Sequence, residues 1–448
     1  MINEEEDIIR AIAGLNFWGR DIDTGVPRPQ YSERVRKFAN SGEIAVVIGP
    51  RRSGKTTICQ QALESMIRGG LEKSQTLCIN FEEPAIEHLL SGPSGIEKIY
   101  RSYRMLVNRD KPAVVVLDEV QNVPRWEKWV RAMHEKKEAK LIITGSSSKL
   151  LSSEIASVLT GRTLSVFVFP LDFREFLRFM GIELKEKYQA AAKKDAIKSF
   201  LMEYMSLGAF PGIAKKGEEF TKKALLKEYF DGFIFRDVVK RYKIRDVDML
   251  RNLAELCINN TSSLISASRM REALVPILQR KISPNKVVKF MSYLENSFLL
   301  FFVPIFSYKV KEQKLYPKKT YAVDTGMAKA VSFKFLEELG RLAENIVFLH
   351  LKRASYEKGY EIFYWKDKEQ KEVDFIVKKQ LKVSEAIQVS WDISDSKTKE
   401  RETRSLLKAM SEFGLKQGLV ITGDFEGEEK INGRKIIYAP LWKWLLEF

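Results

Sequence analysis

The sequence predicts a multidomain α/β protein: a parallel sheet with helices on both faces, then a winged helix-turn-helix, then a C-terminal α/β domain. Three observations predict it. Residues 43–170 alternate apolar runs with helical patterns, as the βαβ units of a parallel sheet do. Residues 246–299 carry three helical patterns in succession, followed by two apolar runs. Residues 340–448 alternate again, with short apolar strands between helical stretches.

The first sheet begins at EIAVVIGPRRSGKTT, 43–57. An apolar strand, 44–48, runs into Gly49, Pro50, Arg51, Arg52, Ser53, Gly54, Lys55, Thr56 and Thr57, and a helical pattern follows. This is G-x-x-x-x-G-K-T between a strand and a helix, the context that makes it a phosphate loop. The glycines let successive backbone N–H groups turn inward toward phosphate oxygens. The helix start adds its positive dipole end. Lys55 is a point charge for the β- and γ-phosphates, and Thr56 offers a hydroxyl to Mg2+.

The second signal is PAVVVLDEVQN, 112–122. A continuous apolar run fits a strand covered on both faces. Asp118 at its end is the expected Mg2+ partner, and Glu119 is placed to orient and deprotonate an attacking water. TLCINF (76–81), KLIITGSS (140–147) and TLSVFVFP (163–170) complete the predicted sheet. Thr144 or Ser146, at the tip of the 140–147 run, is a candidate γ-phosphate sensor or a helix cap. Arg162 is a candidate arginine finger, with a plain surface arginine as the alternative. Phe17 or Trp18 is placed to stack on adenine or to pack in the core.

Bulk properties narrow the partners. The net charge is 75 − 59 = +16, which favours polyanions. Between Thr261 and Thr320 there are eleven Lys or Arg and three acids, so half of that excess falls there. Cys59, Cys78 and Cys257 have no disulfide or zinc spacing, and His88, His134 and His350 are scattered. The longest apolar run, 298–306, is too short to span a bilayer, which needs about 20 residues, and the N-terminus lacks a signal-peptide pattern. A cytoplasmic protein with no membrane association is expected.

Several longer phrases carry a resemblance: FWGRDIDTG, IGPRRSGKTT, VVLDEVQN, ITGSSSKLL, GAFPGI, FRDVVKRYKIRD, SYLENSFLLFFVPIFSYK, YAVDTGMAKAV and KEVDFIV. With them the chain resembles a prokaryotic, mainly archaeal, family of AAA-type ATPases over roughly 17–392. Members carry a winged helix and a restriction-endonuclease-like C-terminal domain. The resemblance implies ATP/ADP and Mg2+ as cofactors, ATP hydrolysis, and coupling to DNA. The domains expected are 1–180 for the ATPase core, 181–245 for a helical lid or linker, 246–335 for the winged helix and 336–448 for the nuclease-like domain.

In the winged helix, Ser283-Pro284 is a strong helix start. Val287, Phe290 or Met291, Leu294 and Phe298 form one apolar face, with Lys286 and Lys289 elsewhere. Residues 300–310 and 315–324 are expected as a hairpin joined by KEQK, with Lys311, Lys314, Lys318 and Lys319 as phosphate contacts. No set of base-reading side chains stands out, so little sequence specificity is expected. Protein docking is the alternative use of such a module.

In the last domain an αβββαβ order is expected, with Asp374 on one strand and AIQVSW, 386–391, as the next. Nuclease chemistry on this fold wants Asp, then Glu-x-Lys. Here Gln388 and Ser390 stand in the Glu and Lys positions, and Glu385 falls on the other face. Glu344 is a remaining carboxylate. With no lysine on that strand, cleavage is not expected. The reading is a homo-oligomeric, DNA-binding ATPase that couples nucleotide state to conformational change. The alternatives are an ATP-gated Mg2+ nuclease and a nucleotide-switch scaffold for protein partners.

Overall fold

The computed structural model describes residues 2–147, 159–184, 186–332 and 339–447. The chain forms two compact units, Met1–Val168 and Phe169–Phe448.

In the first unit, α1 (Ile2–Ile12), α2 (Pro29–Asn40), α3 (Lys55–Arg68), α4 (Pro93–Leu106) and α5 (Trp126–Lys136) pack about five parallel strands. These are β1 (Ile44–Ile48), β2 (Thr76–Asn80), β3 (Ala113–Asp118), β4 (Ala139–Gly145) and β5 (Thr163–Phe167), in the order β2-β3-β4-β1-β5. Every residue of β1 and β3 is buried, as runs of Ile, Val and Leu covered on both faces should be. Because β4 lies between β1 and β3, the phosphate-loop strand and the Asp-Glu strand are not neighbours. This is the parallel P-loop sheet that the sequence predicts.

The edge strand β2 is protected by the N-terminal arm. Asn16 donates to the Cys78 carbonyl (2.9 Å) and accepts from its N–H (2.6 Å), while the Trp18 indole donates to the Thr76 carbonyl (2.9 Å). Side chains thus satisfy backbone groups that an open edge would offer to another strand. Phe17 lies in the core beside α2 and α3.

The second unit opens with α6 (Phe173–Phe179), α7 (Lys187–Ala192), α8 (Lys194–Leu207), α9 (Pro211–Ala214) and α10 (Glu219–Gly232), the last continuing as a π-helix over Phe233–Lys240. Then come α11 (Val247–Asn259), β6 (Ser263–Ile265), α12 (Ala267–Leu278), α13 (Pro284–Asn296), β7 (Leu300–Val303), α14 (Val310–Leu315) and β8 (Lys318–Ala322). The strands form an antiparallel sheet ordered β6-β8-β7. On α13, Val287, Phe290, Leu294 and the following Phe298 are buried.

The expected hairpin is shorter than the sequence suggests, and its connection is a helix instead of a KEQK turn. Pro304 and Pro317 stand just outside β7 and β8. Neither can donate to a ladder, so pairing stops there. The strand β6 is an addition to the expected pattern.

After α15 (Thr325–Val331) the C-terminal part runs α16 (Leu339–Lys358), β9 (Tyr360–Lys366), β10 (Glu372–Lys379), β11 (Lys382–Val389), α17 (Ser396–Glu412), β12 (Gln417–Thr422), β13 (Gly427–Ile431), β14 (Arg434–Pro440) and α18 (Leu441–Glu447). The mixed sheet is ordered β13-β14-β12-β11-β10-β9. From α16 to β12 it follows the expected αβββαβ order, and β13, β14 and α18 come after it. Between Val373 and Ile376, β10 carries one residue more than β9 opposite Trp365 and Phe363. Such a bulge re-aims side chains, and here it falls on Asp374. No helix among the described residues is long and apolar enough to cross a membrane.

Candidate functional site

The phosphate loop leaves β1 at Gly49 and enters α3 at Lys55. A Cβ on Gly49 would lie 1.9 Å from the Val168 carbonyl oxygen, so only glycine fits. Gly54 has φ +93°, a left-handed conformation that glycine adopts freely. Arg51 pairs with Glu82 (2.5 Å). The Ser53 hydroxyl oxygen is buried without a hydrogen-bond partner, inside the cradle.

Around the loop, five predicted residues converge. The Thr56 hydroxyl donates to Asp118 Oδ2 (2.7 Å), and the Thr144 hydroxyl donates to Asp118 Oδ1 (2.5 Å). Thr144 Oγ1 also accepts from the Glu119 N–H (3.0 Å). Lys55 Nζ donates to the Pro50 carbonyl (3.2 Å) and lies 3.4 Å from Glu119 Oε1. Gln121 Nε2 donates to Glu119 Oε2 (2.5 Å). Glu119 itself has φ +53°, uncommon for a residue with a Cβ. Thr144 thus braces both acids, and Ser146, two residues on and just past the end of β4, is buried.

The electrostatics separate the two acids. Burial, reinforced by the charge of Glu119, raises the pKa of Asp118. Burial also pushes Glu119 upward, but the Lys55 ammonium and the Gln121 amide outweigh it and hold Glu119 below its ordinary value. Of the two acids, Glu119 is the one whose surroundings favour the carboxylate over the neutral acid. The hydroxyl and carboxylate oxygens of Thr56 and Asp118 are hard donors that fit Mg2+.

One contributor was not read from the sequence. Arg28, almost wholly buried, donates to the Ser53 carbonyl (2.7 Å) and lies over the Tyr31 ring (4.7 Å). Its backbone N–H donates to Gln61 on α3 (3.0 Å), and the Gln61 amide donates to the carbonyls of Thr24 and Val26. The available signal was an arginine between two prolines just before a helix.

Arg162 is not part of this cluster. Its carbonyl accepts from the N–H of Ile44, at the start of β1, whereas the phosphate loop leaves the other end of that strand. Five strand residues span about 16 Å. Arg162 approaches Glu135 instead (3.4 Å).

A second convergence lies in the other unit. Lys319, predicted as a phosphate contact, is only 2% exposed. Its Nζ donates to Asp374 Oδ1 (2.6 Å) and Glu344 Oε1 (3.1 Å) and lies 2.9 Å from Glu372 Oε1. The Tyr321 hydroxyl donates to the same Glu344 oxygen (2.7 Å). The lysine that meets these carboxylates thus lies on β8 and not on the strand of AIQVSW. The sequence held a signal: Lys319 shares a strand face with Tyr321.

Gln388 does not share a ligand position with Asp374. Its Oε1 accepts from the Asp374 N–H (3.2 Å), and its Nε2 donates to Glu402 on α17 (2.6 Å). Asp374 Oδ2 accepts from the Val389 N–H (2.8 Å). The Ser390 hydroxyl bonds locally to the Asp392 carbonyl (3.4 Å), and Glu385 pairs with Lys379 (3.0 Å). Burial, then the charge of Asp374, pushes Glu344 up to about 8. Burial opposes the charge on Lys319, but Asp374 and Glu344 hold its pKa well above the ordinary value. Among the described residues, no group of three or more His, Cys, Asp or Glu is arranged to hold a metal ion.

The remaining predicted lysines divide. Lys286 pairs with Asp246 (2.5 Å), which Arg280 also reaches, so it is less free than expected. Lys289, Lys311 and Lys314 are exposed, and Lys318 is half-buried.

Three family models match the chain in succession. A family described as "AAA domain" matches residues 41–177. Two domains of unknown function match 198–338 (DUF8612) and 339–443 (DUF4143). Uncharacterized protein MJ1544 of Methanocaldococcus jannaschii is 34% identical over 412 residues, covering 91% of this chain and 89% of that protein. An uncharacterized protein of Haemophilus influenzae is 27% identical, covering 93% and 98%. Among solved structures, the Aeropyrum pernix ORC1 protein in complex with DNA covers 70% of this chain and 94% of its own, at 11% identity and TM-score 0.32. AMPPCP-bound DnaA from Aquifex aeolicus covers 63% and 91%, at 14% identity and TM-score 0.26. This chain belongs to the same family as MJ1544, one built on an AAA-type P-loop domain followed by the two uncharacterized domains.

Proposed function

We propose that the chain binds ATP with Mg2+ at residues 49–57, hydrolyses it, and couples the nucleotide state to DNA bound by the 246–322 module. The observation that carries the ATPase reading is the single network joining Lys55, Thr56, Asp118, Glu119 and Thr144.

In this reading the N–H groups of 49–56 and Lys55 bind the phosphates, and Thr56 and Asp118 hold the cation. Mg2+, when bound, supplies charge neutralisation on the phosphate oxygens. Glu119 accepts the proton of water at its carboxylate, kept ionised by Lys55 and oriented by Gln121. Thr144 fixes the spacing of Asp118 and Glu119, and the sensor role assigned to Thr144 or Ser146 acts through that bracing. Arg162, at the far end of β1 and β5 from its own loop, suits a finger only toward a neighbouring copy in a homo-oligomer.

The order helix–strand–helix–helix–strand–helix–strand over 247–322, with its three strands in one antiparallel sheet, supports a winged helix whose wing carries a short helix at its tip. Its exposed Lys289, Lys311 and Lys314 suit phosphate contacts, so binding should depend on salt more than on sequence. ATPase rate with and without single-stranded and duplex DNA, across a salt series, tests the reading. Stimulation that fades with salt is expected. ATP turnover indifferent to DNA, with no salt-dependent binding, would leave the scaffold reading in its place.

The nuclease alternative has less support. Lys319 takes one oxygen from each of Glu344, Glu372 and Asp374, and the other Asp374 oxygen is held by Val389. These residues form a closed ion-pair centre that does not fit a Mg2+ site.

A further inference from the structure

The segment 307–317 connects β7 to β8, and both of its feet are clamped. At one end, the Phe306 N–H donates to the Tyr364 carbonyl (2.6 Å), and the Phe306 ring packs against Phe363 and Phe413. At the other, the Tyr364 hydroxyl donates to the Pro317 carbonyl (2.6 Å), and Lys319 is locked to Asp374. Inside, Ser307 bonds Glu312 (2.6 Å), and the Gln313 amide bonds the Ser307 carbonyl (2.7 Å).

Between those feet the segment turns its apolar groups outward. Tyr308 is 81% exposed, Val310 61%, Leu315 70% and Tyr316 51%. Large apolar groups are normally scattered singly on a surface, so four within nine residues on a rigid stem mark a contact surface. The charge around them is positive. Glu312, the single acid between Tyr308 and Lys319, is engaged by Lys309 (3.4 Å) and Ser307, while Lys311 and Lys314 are exposed.

We infer that this clamped tip binds an unpaired nucleic-acid strand, Tyr308 and Tyr316 stacking on bases and Lys311 and Lys314 taking the flanking phosphates. Lysines alone would serve any duplex backbone. Exposed rings add affinity only where base faces are open, and duplex bases are already stacked. This inference rests on the DNA reading above and names the form of DNA that the module prefers.

The test uses the full-length protein and fluorescence anisotropy. The probes are an oligothymidylate of about 20 nucleotides, longer than one such module covers, and a blunt duplex of similar length. Tyr308→Ala/Tyr316→Ala should weaken oligothymidylate binding at least about 10-fold while moving duplex binding less than about 2-fold. Both tyrosines are exposed, so the variant's melting curve should overlay the wild type. Lys311→Ala/Lys314→Ala should weaken both probes and lower the salt slope by roughly one to two. If the wild type binds both probes and the tyrosine variant binds oligothymidylate unchanged, or loses both probes equally, the tip does not read unpaired bases. If the wild type binds neither probe, the DNA reading fails and this inference with it. Binding to phosphatidylserine vesicles that the tyrosine variant loses, without oligothymidylate binding, would make the tip a membrane contact and overturn the proposal.

Discussion

Lys319 Nζ donates to Asp374 Oδ1 across 2.6 Å and ties β8 to β10, fifty-five positions apart in sequence. A buried charge that loses its partner is costly, on the order of 3–5 kcal/mol. Lys319→Met should therefore destabilise the second unit by about that amount in urea denaturation. Adding Asp374→Asn should recover part of the loss, because it removes one of the stranded carboxylates. Strictly additive losses in the double variant would mean the two groups are not coupled.

Glu344 gives this centre a pH dependence. Its folded value, about 8, lies above the ordinary 4.5. The folded state therefore favours the protonated acid, and the stability it contributes is present below about pH 4.5 and lost as pH rises through about 8. Lys319, Tyr321 and Asp374 are the groups facing it. Glu344→Gln lacks that titration. The unfolding free energy of the variant relative to wild type, from urea denaturation at each pH, should rise between pH 5 and 8 by an amount on the order of a few kcal/mol. A difference that stays flat over that range would refute the assignment.

At the phosphate loop, Glu119→Gln should bind ATP and lose turnover by at least about 100-fold, as expected for removing a positioned general base. Lys55→Ala should lose ATP binding. Thr144→Val, which keeps the shape but removes the hydroxyl that braces Asp118 and Glu119, should lower kcat more than it raises KM. Phosphate release and ATP binding measured on the three variants separate these roles. Undiminished turnover by Glu119→Gln would remove that residue from the mechanism.

Arg28 supports the loop from behind. Arg28→Ala leaves the Ser53 carbonyl without its charged donor, a loss of about 1.5–3 kcal/mol for such a bond. ATP affinity should fall about 10-fold, and Arg28→Lys should restore little, since a single ammonium cannot reproduce the fork of the guanidinium. Isothermal titration with ATP reads this directly, and unchanged affinity in Arg28→Ala would count against it.

The closed centre around Lys319 predicts that supercoiled plasmid stays intact with the wild type in Mg2+ or Mn2+, with or without ATP. Divalent-dependent nicking by wild type that disappears in Asp374→Ala would mean that Lys319 leaves the carboxylates and that the domain cuts DNA.

Much of this was legible along the chain. The phosphate loop and the Asp-Glu strand follow from short motifs and apolar runs, whereas the place of β4 between their strands is set only by the folded sheet. The three helices at 247–296 were legible too, because periodicity and the Ser283-Pro284 start are local signals. Pro304 and Pro317 also showed where the hairpin had to end, though the apolar runs around them read as longer strands.

AIQVSW shows where such reading stops. Asp374 and Gln388 were rightly placed on neighbouring strands, because alternation and register are written in the residues themselves. Their chemistry was not. A bulge turned Asp374 toward β8 and α16, Gln388 took the Asp374 N–H and Glu402, and the lysine came from a strand that reads as a DNA contact. Secondary structure, motif and face are properties of consecutive residues, and the chain spelled them out. Which lysine meets which carboxylate depends on distant segments packing together, and only the folded protein brings them within 3 Å.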